Sequence, residues 1–217
     1  MMPSVPTRHD NPFATCWTRP GAIPFRFECG EDAEHLIAEL AAQNWRGAII
    51  GPHGSGKSTL LETLKPALAA AGRNIHSVAL RDGQRRLPGE TFAALERIAT
   101  NRLLIVDGYE QLSRLERLRL AWYCHRRQCG LLVTAHVSVS PPTLITLTPS
   151  PGLIEQLVVD LCAEVSTLVA VDQVSASHAR HGSNVREIVF DLYDHYEQVR
   201  RIARTSVAHT AYSNPPS

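Results

Sequence analysis

Residues 46–60 read Arg-Gly-Ala-Ile-Ile-Gly-Pro-His-Gly-Ser-Gly-Lys-Ser-Thr-Leu. The stretch opens as a short apolar run, turns glycine-rich, and ends in a helical pattern, so it predicts a strand, a tight turn and a helix start in that order. From Gly51 to Ser58 it satisfies G-x-x-x-x-G-K-[ST] at every fixed position, and each position has a physical task. Gly51, Gly54 and Gly56 allow backbone conformations that a side chain would forbid. With Pro52, His53 and Ser55 between them, they form a loop whose amides can surround an anion. The helix that starts near Lys57 adds unpaired N–H groups and the positive end of its dipole. Lys57 is expected to face solvent in the empty loop and to reach β- and γ-phosphates in a complex, Ser58 to ligate Mg²⁺, and Thr59 to support that site.

Outward from this loop, the 217 residues, 44% hydrophobic and 20% charged, suffice for one α/β core and a small appended domain. The formal charge of +1 hides a bias, because only Lys57 and Lys65 are lysines and the remaining basic residues are arginine. No segment approaches the roughly 18 apolar residues of a membrane span, and the N-terminus lacks a charged-then-apolar leader. Five cysteines without paired spacing argue against a disulfide framework and for a reducing, cytoplasmic setting. Cys124, His125 and Cys129 lack a second ligand pair at zinc spacing, so no zinc site is expected.

In chain order, residues 1–30 hold five prolines and read as an irregular arm. Its first ten residues are expected to be mobile, and Asn11, Pro12, Phe13 and Trp17 are available to cover a base or to pack on the core. A helix is expected over 31–43, a second over 57–71 ending at Gly72, and a strand over 74–80. Residues 81–88 form a loop carrying Arg81, Arg85 and Arg86, followed by a helix over 90–100. The next strand, 101–106, is an apolar run closed by Asp107, which suits a buried parallel strand delivering a carboxylate to a ligand crevice. Asp107 is therefore the expected partner of Ser58 at Mg²⁺, and Glu110 the candidate for polarising an attacking water. A helix over 111–128 carries five further arginines, among them Arg114, Arg117 and Arg126, read mostly as a solvated face. Residues 130–136 are a buried strand in which Thr134, or His136, can reach a γ-phosphate or the water. Residues 143–148 give the last strand. Five strands alternating with helices predict a three-layer sandwich around a five-stranded parallel sheet. Helices over 151–162, 171–180 and from 183 onward form a small C-terminal lid. The expected organisation is an arm and helix over 1–44, a core over 45–150, a lid over 151–204 and an irregular tail over 205–217.

At this point the chain resembles the AAA+ branch of the P-loop ATPases. Residues 51–58 look like its Walker A loop, Asp107 with Glu110 like Walker B, Thr134 like sensor 1, and residues 182–187 like the start of the sensor 2 helix. The resemblance implies ATP and Mg²⁺ as ligands, and Arg186 as a lid residue that reads the γ-phosphate. Two departures stand out. Glu110 follows Asp107 by three positions rather than directly, and no arginine occurs between Arg127 and Arg180, where the family's trans-acting finger would lie.

The reading favoured is an ATPase that couples nucleotide state to a protein or nucleic-acid partner, slow on its own, with Arg81, Arg85 and Arg86 as partner contacts. Oligomerisation is open. A small-molecule or nucleotide kinase would use the same loop, but residues 162–182 offer only Arg180 as a lid arginine. A regulatory module that binds ATP without hydrolysing it is the third possibility.

Overall fold

The computed structural model describes residues 11–27, 31–162 and 171–212. Residues 1–10, the Trp17 side chain and residues 213–217, to which the sequence assigns a mobile arm, a base contact and an irregular end, lie outside the described residues. In chain order the elements are α1 (Thr15–Thr18), α2 (Ala33–Ala42), β1 (Arg46–Ile50), α3 (Lys57–Ala70), β2 (Asn74–Ala79), α4 (Thr91–Arg97), β3 (Arg102–Asp107), a 3-10 turn (Tyr109–Gln111), α5 (Arg114–Arg126), β4 (Gly130–Ala135), β5 (Thr143–Thr146), α6 (Pro151–Cys162), α7 (Val171–His181) and α8 (Val185–Tyr212). Contacts divide the chain into two compact units, one of Ile23–Thr148 and the other of Met1–Ala22 together with Pro149–Ser217.

The first unit is a five-stranded sheet in the order β2-β3-β4-β1-β5, with every neighbouring pair parallel. Because strand side chains alternate between faces, each central strand feeds two cores. Leu104 and Val106 of β3 join Val133, Leu95, Leu120 and Tyr123 on the side of α4 and α5. Leu103 and Ile105 join Leu132, Leu36, Leu40, Leu60, Leu64 and Leu68 on the side of α2 and α3. The result is an α/β/α sandwich. Leu103, Leu104, Ile105 and Val106 are all 0% exposed, which is why β3 is apolar at every position from 103 to 106 instead of alternating with polar residues.

The helices begin and end for local reasons. Asp32 caps α2, its carboxylate accepting from His35 N at 2.7 Å. Where the sequence expects one helix from 111, the chain makes a 3-10 turn and restarts at Arg114, because Ser113 Oγ accepts from Glu116 N at 3.2 Å. Ser113-x-x-Glu116 is the pattern of a capping box, a start signal inside the expected helix. Similarly α4 stops at Arg97, with Ile98 already extended, three residues before the expected end.

In the second unit, Phe13 is buried and meets Tyr196 of α8 edge-on, with ring centroids 6.4 Å apart. Asn11 Nδ2 donates to Glu197 Oε1 at 2.9 Å, so this part of the arm is committed to packing against α8. The α7–α8 pair is joined through Arg180, whose guanidinium meets Asp191 at 2.6 and 3.1 Å. α8 continues to Tyr212, past residue 204, and the alanines at 203, 208 and 211 suit a continued helix.

Two glycines contrast a close approach with open space. A Cβ on Gly130, at the head of β4, would stand 2.8 Å from Leu103 Cδ1 and 2.8 Å from Trp45 Cβ. A Cβ on Gly89 would meet nothing within 4 Å. Gly130→Ala is expected to lower stability by about 1–3 kcal/mol through overpacking, while Gly89→Ala stays within about 0.5 kcal/mol of wild type. Urea titrations of both variants followed by tryptophan fluorescence check this, and equal midpoints would refute the close approach.

Candidate nucleotide-binding site

The site forms where β1, β3 and β4 end together. Val106 is level with Val133, and Ile50 with Ala135, so the residues that follow, Gly51, Asp107 and Thr134 to His136, emerge at one edge of the sheet. This is the crevice outside the carboxyl ends of the strands where open α/β sheets place ligands.

Gly51 continues β1 by donating its N–H to Ala135 O at 3.2 Å. No side chain fits there, since a Cβ would lie 2.6 Å from Ser55 Oγ and 2.8 Å from Leu147 O. Gly54 and Gly56 hold φ of +72° and +92°, the left-handed region that glycine enters without strain. Gly56 then caps α3, which begins at Lys57, so the amides of the first turn open onto the loop.

Lys57 is not solvent-facing. It is only 9% exposed, and its ammonium donates to Gly51 O at 2.7 Å and to Pro52 O at 2.6 Å and stands 3.2 Å from His136 Nδ1. The physical reason is that a cation at the mouth of the crevice loses water and must replace it with acceptors, and the loop's own carbonyls are nearest. Nδ1 of the same ring also stands 3.1 Å from Gly51 O, and Nε2 faces Glu110 Oε1 at 3.0 Å. The His53 ring lies over His136 with centroids 3.6 Å apart. Lysine, imidazole and glutamate thus form one continuous chain.

A second chain runs alongside it. Ser58 Oγ donates to Asp107 Oδ2 at 2.7 Å, Thr134 Oγ1 donates to Asp107 Oδ1 at 2.6 Å, and Gly108 N donates to Thr134 Oγ1 at 2.9 Å. Both carboxylate oxygens of Asp107 are therefore held. Thr134 is 1% exposed, and its one proton is spent on Asp107 rather than turned to the open crevice. Thr59 follows Ser58 in the first turn of α3.

Glu110 is carried by the 3-10 turn, which Gly108 enters at φ +86°. Arg117, read from sequence as part of a solvated face, instead braces this turn. Its guanidinium donates to Glu110 O at 2.7 Å and Leu112 O at 3.0 Å, and lies over the Tyr109 ring at 5.3 Å. Burial raises the Tyr109 phenol above its ordinary pKa, and the Arg117 charge opposes that shift. No spacing rule flags Arg117, because it meets Glu110 across a break between two helical segments. Arg186 lies in the first turn of α8, in the other compact unit. Arg81, Arg85 and Arg86 are exposed in a loop that Gly83 turns at φ +85°.

Among the described residues at the site, Ser55 Oγ and Glu110 Oε2 are buried polar atoms with no partner. Buried polar atoms are seldom left unsatisfied, and these two lie on the phosphate loop and on the acid across the crevice. Ser58 and Asp107 supply only hard oxygen donors, which suit Mg²⁺. Among the described residues no group of three or more His, Cys, Asp or Glu could form a cage for a metal, and Mg²⁺ characteristically takes one or two protein oxygens and completes its shell with water and phosphate.

The sheet order, the loop and its position give a fold like that of AAA+ P-loop ATPases. Three solved structures carry the comparison. The Saccharomyces cerevisiae Hsp104-ADP complex matches with a TM-score of 0.62 at 16% identity, covering 92% of this chain and 34% of that one. The replication initiator DnaA, bound to AMPPCP and single-stranded DNA, matches with a TM-score of 0.55 at 15% identity over 83% of this chain and 67% of that one. The Thermotoga maritima RuvB Holliday junction branch migration motor matches with a TM-score of 0.50 at 16% identity over 72% and 57%. This chain thus spans little more than half of RuvB and a third of Hsp104. No protein-family profile and no curated protein sequence matches it.

Thr134→Val removes the donor to Asp107 and strands the Gly108 N–H. It is expected to cost about 1–3 kcal/mol and, because Asp107 is then held only by Ser58, to raise the Mg²⁺ concentration needed for nucleotide binding. Thermal denaturation and a Mg²⁺ titration monitored with fluorescent nucleotide check the two effects.

Proposed function

We propose that this protein is a Mg²⁺-dependent ATPase whose nucleotide state is coupled to a macromolecular partner. The observation that carries the reading is the 2.7 Å contact between Ser58 Oγ and Asp107 Oδ2, which joins residues 49 positions apart at the mouth of a glycine loop. Few structural needs would hold a serine and an aspartate together there, whereas Mg²⁺ bound beside a triphosphate needs both. When bound, the ion neutralises charge on the phosphates.

The chain's own residues divide the remaining work. The amides of residues 51–58 bind the phosphates, and Lys57 gives up the Gly51 and Pro52 carbonyls for phosphate oxygens. Glu110 orients a water and accepts its proton. Thr134 acts through Asp107 as a positioning residue. His136 stands between Lys57 and Glu110, so that moving Lys57 onto phosphate also alters the hold on Glu110. Arg186 is the proposed lid contact to the γ-phosphate. With no arginine between Arg127 and Arg180, turnover is slow until a partner supplies charge, since such a finger contributes on the order of a thousandfold. The cysteine pattern supports a cytoplasmic location. Among the described residues no helix is long and apolar enough to cross a membrane.

Lys57→Ala is expected to lose most ATP affinity, and Glu110→Gln to keep affinity while turnover falls by about 10² or more. Equilibrium binding of a fluorescent ATP analogue and a phosphate-release assay measure the two. Wild-type affinity in a folded Lys57→Ala protein would refute the site. Phosphate appearing only with a small-molecule acceptor would make the protein a kinase, and binding without any release a regulatory module.

A further inference from the structure

Helix α5 carries an apolar stripe that the core does not use. Leu115, Leu118 and Trp122 are 79%, 68% and 63% exposed, and their spacing places them along one side of the helix over two turns. Arg119 and Arg126 border the stripe on one side and Arg114 on the other, by helical position. Arg126 lies over the Trp122 ring at 5.7 Å, and Arg119 over Phe92 at 4.5 Å. The one acid of the helix is turned inward, Glu116 being 7% exposed, with Leu87 N at 3.4 Å and Arg119 at 3.7 Å. The outer face of α5 is thus apolar and positive, with no exposed negative charge of its own.

Tertiary structure enlarges this face. Ser113 N donates to Arg85 O at 3.0 Å, and Gln111 Nε2 donates to Asp82 Oδ1 at 3.2 Å. These bonds fasten the loop bearing Arg81, Arg85 and Arg86 to the N-terminal end of α5, while the carboxylate of Asp82 is engaged by Gln111. The loop's three exposed arginines are thereby held at the start of the helix that carries the stripe.

We propose that this face docks an acidic segment of a protein partner that presents apolar side chains between Asp or Glu residues. Charge complementarity fixes the sign of the occupant, because guanidinium groups pair with carboxylates in planar, two-bonded geometry. The leucines fix its kind. Nucleic acid offers phosphates to arginine and a stacking surface to Trp122, but only sugar carbons and thymine methyls to cover Leu115 and Leu118. A partner side chain that covers them removes exposed apolar surface and closes the rim around it, the arrangement in which aromatic and arginine residues dominate binding. The inference concerns a surface outside the phosphate site, so it stands or falls apart from the ATPase reading.

The test pans a displayed library of 16-residue peptides against the full chain, with counter-selection on a Leu115→Ser, Leu118→Ser, Trp122→Ser variant. All three positions are exposed, so the variant keeps its melting temperature and its ATP affinity. The expected winners carry apolar residues at helical or alternating spacing flanked by Asp or Glu. A synthetic winner should bind the wild type, lose at least about tenfold in affinity to the triple variant or to Arg85→Ala, Arg86→Ala, Arg126→Ala, and weaken as salt rises. Winners that are basic or neutral, or that bind the triple variant equally, overturn the proposal. So does binding of a 30-nucleotide single strand that the triple variant abolishes, which would make the face a nucleic-acid site. Self-association of the wild type that the variant abolishes also overturns it, since the stripe would then be covered by a second copy.

Discussion

The hydrogen bond from Ser58 to Asp107 is the contact on which the site depends. It closes only if three conditions hold together: α3 must start where the loop after β1 releases it, β3 must run parallel to β1, and β4 must lie between them to supply Thr134. The buried apolar strands meet the second and third conditions, because β3 and β4, covered on both faces, have no polar side to offer solvent. The glycines of the loop meet the first. The geometry of the site is a by-product of sheet order, and the sheet order follows from burial.

Lys57 and Glu110 show a site in balance with itself. The ammonium is held by two carbonyls and a ring nitrogen, partners that a phosphate must outcompete. A neutral hydrogen bond in protein contributes about 1 kcal/mol net, and one to a charged group somewhat more. The arrangement therefore replaces the water that a buried ammonium loses. Glu110 stands three residues from Asp107, where the resembled family has its acid adjacent. The 3-10 turn after Gly108, braced by Arg117, offsets that distance by folding the acid back to within reach of His136.

Arginine serves three purposes in α5 that composition alone does not separate. Arg117 braces a turn, Arg127 just beyond the helix pairs with Glu96 at 3.1 Å, and Arg114 and Arg126 border an exposed apolar stripe. Exposed ion pairs such as Arg127 with Glu96 contribute little to stability. The contrast matters for function: part-buried bonds from Arg117 hold the turn that carries the acid, whereas exposed guanidinium groups are available to a partner.

The local alphabet was legible in the chain. Glycine spacing, the lysine and serine that follow it, and an apolar run closed by Asp107 identify a phosphate loop and its acid, because each is a short-range requirement of backbone conformation or strand burial. The number of strands and the three-layer arrangement follow from the same periodicities. Tertiary structure alone decided the order β2-β3-β4-β1-β5, the burial of Lys57, the placing of His136 between Lys57 and Glu110, the brace by Arg117 and the bond from Ser113 to Arg85. Each of these joins residues far apart in sequence, and no propensity or spacing rule reports which distant carbonyl a buried ammonium will find or which strand end will lie beside another. That is settled by packing, where many side chains are satisfied at once.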